Sequence, residues 1–222
     1  MMKKQKALLL GATGLVGREV LDLLLQSDAY DQVTLLTRRT SKQTHPKLQE
    51  IVVDFASLGN VDKSHFQVDA VFSCLGTTKS KTPDTQQYKQ IEISYPVYVA
   101  EQAMAQGAHS FHYVSALGAS ARSRFPYNQI KGTAEQQLQE VQAKWPQSYF
   151  VMYRPSFILG ARGESRPLEG LAIFLSKGLD LFLRGPWRKL HSIHALTIAQ
   201  AMVQRSLLST QGYLILESDQ IK

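Results

Sequence analysis

A chain of 222 residues with 44% apolar and 19% charged side chains is long enough for one domain with a substantial hydrophobic core. Its apolar runs are too short to cross a bilayer, which takes about 20 residues, and its formal charge of +7 comes without zinc-finger spacing, a charge block or an aromatic-basic RNA signature. The single cysteine, Cys74, excludes an intramolecular disulfide and suits a reducing compartment, and the N-terminal residues lack the apolar region of a signal peptide. We therefore expect a cytoplasmic monomer or homodimer without nucleic-acid or membrane partners.

Short apolar runs alternate with stretches of helical periodicity along the chain. Residues 6–12 form a continuous apolar run that ends in glycine, as expected of a buried parallel strand, and a helix is predicted at 15–26. Further strands are predicted at 32–37, 50–53, 69–75, 111–115, 149–153 and 213–216. Further helices are predicted at 85–106, with Pro96 as a kink or restart, and at 126–143 and 195–208. This alternation predicts an α/β fold with a doubly wound parallel sheet and helices on both faces, as one domain over residues 1–222.

Three glycines mark the turn from the first strand to the first helix, in the spacing G-x-x-G-x-x-G. Gly11 permits a tight turn, Gly14 lets the backbone approach a pyrophosphate, and Gly17 lets the helix pack closely on the sheet. The helix N-terminus adds free N–H groups and positive dipole charge. We predict a dinucleotide-binding turn here, with a glycine-rich turn that binds nothing as the alternative. Its residues are Gly11, Thr13, Gly14, Leu15, Val16 and Gly17.

Two arginines follow the second predicted strand. An acidic residue at this place would hold the ribose 2′-hydroxyl of NAD(H), whereas a guanidinium group suits the 2′-phosphate of NADP(H). Arg38 and Arg39 therefore favour NADP(H) over NAD(H), unless they form a solvated surface pair. Asp54 and Phe55 close the third strand, where they could flank the adenine or only turn the chain.

A tyrosine and a lysine lie four residues apart at the start of the predicted helix 126–143, so they share one face of it. A cation beside a phenol stabilises the phenolate, which makes Tyr127 with Lys131 a usable acid–base group. Ser115, at the carboxyl end of its strand, is placed to hydrogen-bond a substrate carbonyl while a cofactor supplies hydride. The structural alternative is a tyrosine that packs on the helix beside a solvated lysine.

The regularity of the pattern weakens after Pro155, in a segment rich in basic residues. Residues 154–189 include seven basic and three acidic side chains. We expect residues 155–192 to form a small substrate-side insertion or lid, in which Arg162 and Arg166 bind an anionic group of a small-molecule substrate. A solvated basic surface is the alternative.

Two histidine pairs have a three-residue spacing that invites a metal interpretation. Zinc needs three or four ligands, and neither His109 with His112 nor His191 with His194 stands near a cysteine cluster. Packing is therefore the preferred interpretation, and no metal is expected. Cys74 is expected to be a buried structural thiol rather than a reactive one.

Five segments resemble, in order, the short-chain dehydrogenase/reductase superfamily: GATGLVG, SCLGTT, YVSALGA, PYNQIKGTAE and YRPSFILGARGESRP. They are most similar to its atypical branch, which includes the Tat-interacting protein CC-three, and the likeness runs from about residue 7 to residue 205. The resemblance implies a Rossmann fold, an NADP(H) cofactor and hydride transfer to or from a small carbonyl or alcohol. It assigns catalytic roles to Ser115, Tyr127 and Lys131. The further cofactor contacts that it implies are those of Leu75, Gly76, Tyr127, Lys131, Pro155 and Ser156.

One position departs from the pattern of the superfamily. Many members carry an asparagine that holds a proton-relay water, and Glu92 aligns with that position. Members of the branch are also described as regulatory binding proteins, so an NADP(H)-sensing protein without turnover is the alternative function. An isomerase or epimerase is a third hypothesis. It is disfavoured because the segment after Pro155 is short for a sugar-nucleotide site.

Overall fold

A seven-stranded, all-parallel β-sheet runs through the middle of the protein. The structure, a computed structural model, describes residues 4–160 and 191–222. The strands are β1 (Gln5–Leu10), β2 (Tyr30–Thr37), β3 (Leu48–Val52), β4 (Ala70–Ser73), β5 (Ser110–Val114), β6 (Tyr149–Arg154), β7 (Ile158–Leu159), β8 (Ile193–His194) and β9 (Gly212–Glu217). The large sheet has the order β3-β2-β1-β4-β5-β6-β9, and β7 pairs with β8 in a separate two-stranded sheet. The strand order reverses between β1 and β4, which is where ligands bind in sheets of this kind.

Helices cover both faces of the sheet. They are α1 (Leu15–Gln26), α2 (Thr85–Lys89), α3 (Tyr95–Ala105), α4 (Pro126–Lys144) and α5 (Ala195–Ser206), with a π-helical turn, Gln90–Ser94, between α2 and α3. Helices α1 and α5 pack on one face, and α3 and α4 pack on the other. Short 3₁₀ turns lie at Phe55–Asn60, Lys63–Phe66 and Ser218–Gln220.

The first strand shows why the sheet is buried on both sides. Ala7 and Leu9 contribute to the core under α1 and α5, whereas Leu8 and Leu10 contribute to the core under α3 and α4. All four side chains are inaccessible to solvent. A strand buried on both faces needs apolar residues at every position, and this accounts for the unbroken apolar run in the sequence.

The predicted doubly wound parallel α/β fold is confirmed, and the predicted strands and helices match the observed ones to within a few residues. The predicted helix at 85–106 contains the π-helical turn just before Pro96. Proline has no N–H to donate to the carbonyl oxygen of residue 92. The phenol of Tyr113 donates to that oxygen instead, at 3.0 Å.

Two sequence predictions involve residues 161–190, which the structure does not describe. The predicted insertion or lid at 155–192, with Arg162 and Arg166, lies mostly outside the described residues, and the single-domain organisation stays a prediction. Within the described residues, no helix combines the length and apolar character needed to cross a membrane.

Candidate functional site

A groove of about 350 Å³ opens at the carboxyl ends of β1, β2 and β4, at the point where the strand order reverses. Seven of the predicted cofactor residues line it: Gly11, Thr13, Gly14, Arg38, Phe55, Leu75 and Gly76. The sequence did not single out several further lining residues, namely Thr77, Lys81, Thr82, Ile91 and Tyr95. They come from the connection after β4, from the π-helical turn and from the start of α3, so no local signal shows that they meet at this groove.

The glycine turn at the floor of the groove is sterically required. Gly11 has a φ of 79°, and a Cβ there would lie 2.5 Å from the carbonyl oxygen of Cys74. A Cβ on Gly17 would lie 2.1 Å from the carbonyl oxygen of Gly11. Gly14 is the N-cap of α1 and offers no side chain to its N–H groups, so these remain available to an anionic group.

We expect Gly17→Ala to destabilise the fold by about 1–3 kcal/mol, because the strand–helix junction must move to admit the methyl group. NADPH affinity should fall with it, since the same backbone shapes the turn. Urea unfolding and NADPH fluorescence titration measure the two effects. Gly59→Ala is the control, because a Cβ there meets nothing within 4 Å. Equal stability of the two variants would show that α1 does not need its close contact with the turn.

The outer wall of the groove combines aromatic and cationic side chains. The rings of Phe55 and Tyr95 lie 5.3 Å apart and both line the groove. Arg38 is exposed at its edge, whereas Arg39, also exposed, is not among the lining residues. Asp54 caps the following 3₁₀ turn, with its carboxylate accepting the N–H of Ala56 at 3.0 Å, and it is not among the lining residues.

The remaining predicted residues of the glycine turn lie in the first turn of α1. Val16 is buried in the core under that helix, and Leu15 packs against the same core. Both therefore support the turn from behind and do not line the groove.

A second pocket lies beside the first, with a volume of about 380 Å³. Four predicted residues meet there: Ser115, Tyr127, Pro155 and Ser156. Tyr127 is 46% exposed and stands at the start of α4, where Pro126 occupies the first turn. Two further aromatic residues are exposed. Phe125 precedes Tyr127 by two residues in sequence, and Phe157 lines the same pocket.

The lysine predicted to act on Tyr127 contacts a different tyrosine. The Lys131 ammonium group donates to the Tyr113 phenol at 3.0 Å and to the carbonyl oxygen of Val114 at 2.9 Å. Its third partner is the Glu92 carboxylate, at 2.9 Å. Two hydrogen bonds and one ion pair therefore hold the ammonium group within the protein. The direct phenol partner of Lys131 is thus Tyr113, whereas Tyr127 interacts with it through charge.

Burial and charge set the protonation states of this cluster. Burial by itself lowers the pKa of Lys131, but the Glu92 carboxylate and the phenols of Tyr113 and Tyr127 raise it well above its usual value. Burial raises the pKa of Tyr113, against the opposing effect of Lys131. At neutral pH the lysine is therefore charged and Tyr113 is a neutral phenol that can both donate and accept a hydrogen bond.

The predicted catalytic serine is committed to an ion-pair network. Ser115 is 3% exposed, and its hydroxyl donates to the Glu135 carboxylate at 2.5 Å. Arg154 holds the same carboxylate through two hydrogen bonds and reaches Glu217 at 3.0 Å. These bonds raise the pKa of Arg154 above its usual value. The hydrogen of the Ser115 hydroxyl is thus directed at Glu135, and the Arg154 guanidinium group is paired with two carboxylates.

Tyr113 and Glu135 were not predicted as site residues, although the spacing of each from a predicted residue is a weak indication of its place. Tyr113 precedes Ser115 by two residues and therefore points to the same side of the strand. Glu135 follows Lys131 by four residues and lies on the same face of α4.

Among the histidines and the cysteine, His112 is buried in the core, and Cys74 is partly buried and lines the groove. His112 stacks on Phe72 with ring centroids 5.3 Å apart, and its Nδ1 lies 3.1 Å from the Tyr153 phenol. Burial lowers the pKa of His112 to about 3, so the ring is neutral. Burial raises the pKa of the Cys74 thiol to about 12, so that it stays protonated at neutral pH. The described part of the chain holds no group of three potential metal ligands.

Comparisons with known proteins place the chain among nucleotide-cofactor proteins. A family model described as NAD(P)H-binding matches residues 11–150. "Protein FMP52-1, mitochondrial" of Scheffersomyces stipitis is 33% identical over 181 residues, which cover 81% of this chain and 77% of the relative. "Protein HTATIP2" of Rattus norvegicus is 29% identical over 216 residues, which cover 96% of this chain and 86% of the relative.

Solved structures share the fold. A UDP-N-acetylglucosamine 4-epimerase from Methanobrevibacter ruminantium superposes with a TM-score of 0.71 at 16% identity, covering 97% of this chain and 77% of the epimerase. MoeE5, solved with UDP-glucose and NAD, gives a TM-score of 0.69 at 18% identity, covering 95% of this chain and 75% of its own. At such identities the likeness concerns the fold alone.

The relatives correct one prediction. Those from Scheffersomyces stipitis, Eremothecium gossypii and Candida albicans are all named as mitochondrial proteins. The prediction of a cytoplasmic protein is therefore wrong. A single cysteine indicates only a reducing compartment, and mitochondrial targeting uses amphipathic segments that need no apolar leader, so the sequence features used for that prediction do not separate the two locations.

Proposed function

We propose, from the premise that the chain belongs to the NAD(P)H-binding atypical short-chain dehydrogenase/reductase family, that it is an NADP(H)-dependent oxidoreductase. Its substrate would be a small carbonyl compound or alcohol. The observation that carries the proposal is the groove at the reversal of the strand order, with the glycine turn as its floor and an arginine at its edge. A pocket that contains Tyr127 lies beside this groove on the next elements of the sheet.

The residues of the groove suit a dinucleotide phosphate. The uncapped N–H groups at the start of α1 would hold the pyrophosphate, and the close approach of backbone at Gly11 and Gly17 leaves no room for a side chain that would cover them. Phe55 and Tyr95, which both line the groove, would pack against the adenine. Arg38 is our candidate for the 2′-phosphate, since a planar guanidinium binds phosphate through two parallel hydrogen bonds.

In the neighbouring pocket, Tyr127 is the proposed proton donor and acceptor. When bound, the cofactor supplies or takes the hydride. Lys131 keeps a positive charge on the same helix, four residues from Tyr127. A hydroxyl has one hydrogen to donate, and that of Ser115 is donated to Glu135. Ser115 can therefore orient a substrate carbonyl only if its hydroxyl turns away from Glu135 when the substrate binds.

We expect the protein to bind NADPH at least tenfold more tightly than NADH. One phosphate contact by Arg38 contributes about 1.5–3 kcal/mol, and about 1.4 kcal/mol corresponds to a factor of ten. Fluorescence titration of both cofactors checks this, and Arg38→Asp should remove the preference. Arg39→Asp is the matched control, because it makes the same charge change outside the groove. Equal affinity for the two cofactors in the unmodified protein would contradict the NADP(H) assignment.

A second candidate function is an NADP(H)-sensing binding protein without turnover. It is favoured by the engagement of the predicted catalytic groups, since two hydrogen bonds and an ion pair hold Lys131 and the Ser115 hydroxyl donates to Glu135. A screen for NADPH oxidation with aldehydes, ketones and quinones separates the two candidates. Turnover with any of them identifies the enzyme, whereas thermal stabilisation by NADPH with no turnover identifies the binding protein.

The proposal also includes an anionic group on the substrate. This part of the proposal depends on Arg162 and Arg166, which lie outside the described residues. Arg154, the first basic residue of that segment, is already neutralised by Glu135 and Glu217.

A further inference from the structure

One buried carboxylate joins the cofactor groove to the helix of the proposed acid–base group. Glu92 lies in the π-helical turn and is 1% exposed. One of its oxygens accepts the backbone N–H of Thr77, at 2.6 Å, and the other pairs with the Lys131 ammonium group, at 2.9 Å. Thr77 lines the groove, and Lys131 shares α4 with Tyr127. A single side chain thus joins the groove to the helix that carries Tyr127.

The backbone around Glu92 is adapted to hold this carboxylate. Its carbonyl oxygen lacks the usual helical donor because Pro96 has no N–H, and the Tyr113 phenol donates to it at 3.0 Å. Tyr113 in turn accepts from Lys131, at 3.0 Å. Glu92, Lys131 and Tyr113 therefore form a closed ring in which each residue contacts the other two. Such a ring fixes the lysine in one position.

A buried ion pair of this kind is not explained by stability alone. Removing two charges from water costs several kcal/mol per ion, and apolar side chains of similar volume often stabilise a core as well or better. The pair therefore calls for a role that a neutral or apolar pair cannot fill. The position of Glu92 between Thr77 and Lys131 supplies such a role.

We propose that Glu92 is a positioning residue that sets Thr77 of the cofactor groove and Lys131 of helix α4 relative to each other. Binding of NADP(H) and the placement of Lys131 near Tyr127 then depend on the same carboxylate. This inference rests on the proposed function, because it assigns Glu92 a part in the cofactor site.

The charge of Lys131 depends on Glu92. The titratable groups that face this lysine are Glu92 of the π-helical turn, Tyr113 of β5, Tyr127 of α4, Tyr88 of α2 and Cys74 after β4. Glu92 is the one carboxylate among these five groups. Without it, burial lowers the pKa of Lys131, and the lysine loses its proton at a lower pH. With it, the pKa stays above the usual value, and the positive charge persists across the physiological range.

The test measures NADPH affinity of the full chain by fluorescence titration from about pH 6.5 to about pH 9, a range below the usual pKa of a lysine. Three proteins are compared: the unmodified chain, Glu92→Gln and Glu101→Gln. Glu101 is the matched control, because it pairs with Lys144 of α4 at 2.8 Å from the neighbouring helix α3 but is only partly buried. We expect Glu92→Gln to weaken NADPH binding by about tenfold or more at neutral pH. The loss should grow as the pH rises, whereas Glu101→Gln should follow the unmodified chain.

The outcomes separate the inference from the proposed function. If the unmodified chain does not bind NADPH, the proposed function fails. If the unmodified chain binds NADPH and Glu92→Gln shows the affinity and pH profile of Glu101→Gln, the inference is overturned. Should Glu92→Gln fail to fold, Glu92→Asp decides, since it keeps the charge but is too short to reach both partners. A folded Glu92→Asp with unchanged NADPH affinity overturns the inference, and a weakened affinity without the new pH dependence supports it.

Discussion

Replacing Tyr127 by phenylalanine should lower turnover by about 10²-fold or more and leave NADPH binding nearly unchanged, as expected when one positioned acid–base group is removed. The ring stands in the second pocket, 46% exposed, so the change deletes a hydroxyl without disturbing buried packing. Steady-state kinetics with a carbonyl substrate found by the NADPH-oxidation screen gives the turnover. Fluorescence titration gives the affinity for NADPH.

Tyr98→Phe serves as the control for this variant. Tyr98 lies in α3, packs edge-on to Phe66 at a centroid distance of 6.3 Å, and lines neither pocket. Its loss should leave turnover unchanged. If Tyr127→Phe also keeps full turnover, the proton comes from another group, and the assignment of Tyr127 is wrong.

Replacing Lys131 by methionine should cost about 3–5 kcal/mol of unfolding free energy, because Glu92 is left as a buried charge without its partner. The pair is almost fully buried, with 4% and 1% of its two side chains exposed. Urea unfolding measures the cost. The double variant Glu92→Gln with Lys131→Met should lose less than the sum of the two single variants, since it removes both charges together.

The exposed pair Glu101–Lys144 is an internal reference for this measurement. It has a similar N–O distance, 2.8 Å, but its side chains are 36% and 59% exposed. Lys144→Met should therefore cost at most about 1 kcal/mol. Equal costs for Lys131→Met and Lys144→Met would show that the buried carboxylate finds another partner or takes up a proton.

The fold could be predicted because its causes are local. An unbroken apolar run that ends in glycine specifies β1 and its turn, and the same logic places the other six strands of the large sheet to within a few residues, but not β7 and β8. The residues of the groove followed from this, because the carboxyl ends of parallel strands meet at one edge of the sheet. Gly11, Arg38 and Gly76 all lie where the sequence placed them.

The direct partners of the catalytic candidates could not be predicted in this way. Helical spacing shows that Tyr127 and Lys131 share a face, but it does not show which acceptors the tertiary structure brings to Lys131. Glu92 reaches that lysine from another helical segment, in a turn whose geometry depends on Pro96. The contact of Ser115 with Glu135 likewise joins a strand to a helix, 20 residues apart in sequence.

The described residues that line the two pockets come from separate stretches of the chain, which matters for the design of chimaeras with related proteins. The lining of the cofactor groove comes from residues 11–95, and the described lining of the neighbouring pocket comes from residues 115–158. If the proposed function holds, a chimaera joined within residues 107–109 should take its cofactor preference from one parent and its substrate preference from the other. The ion pair of Glu92 with Lys131 crosses that junction. The two parents must agree on this pair, or the hybrid will contain a buried charge with no counterpart.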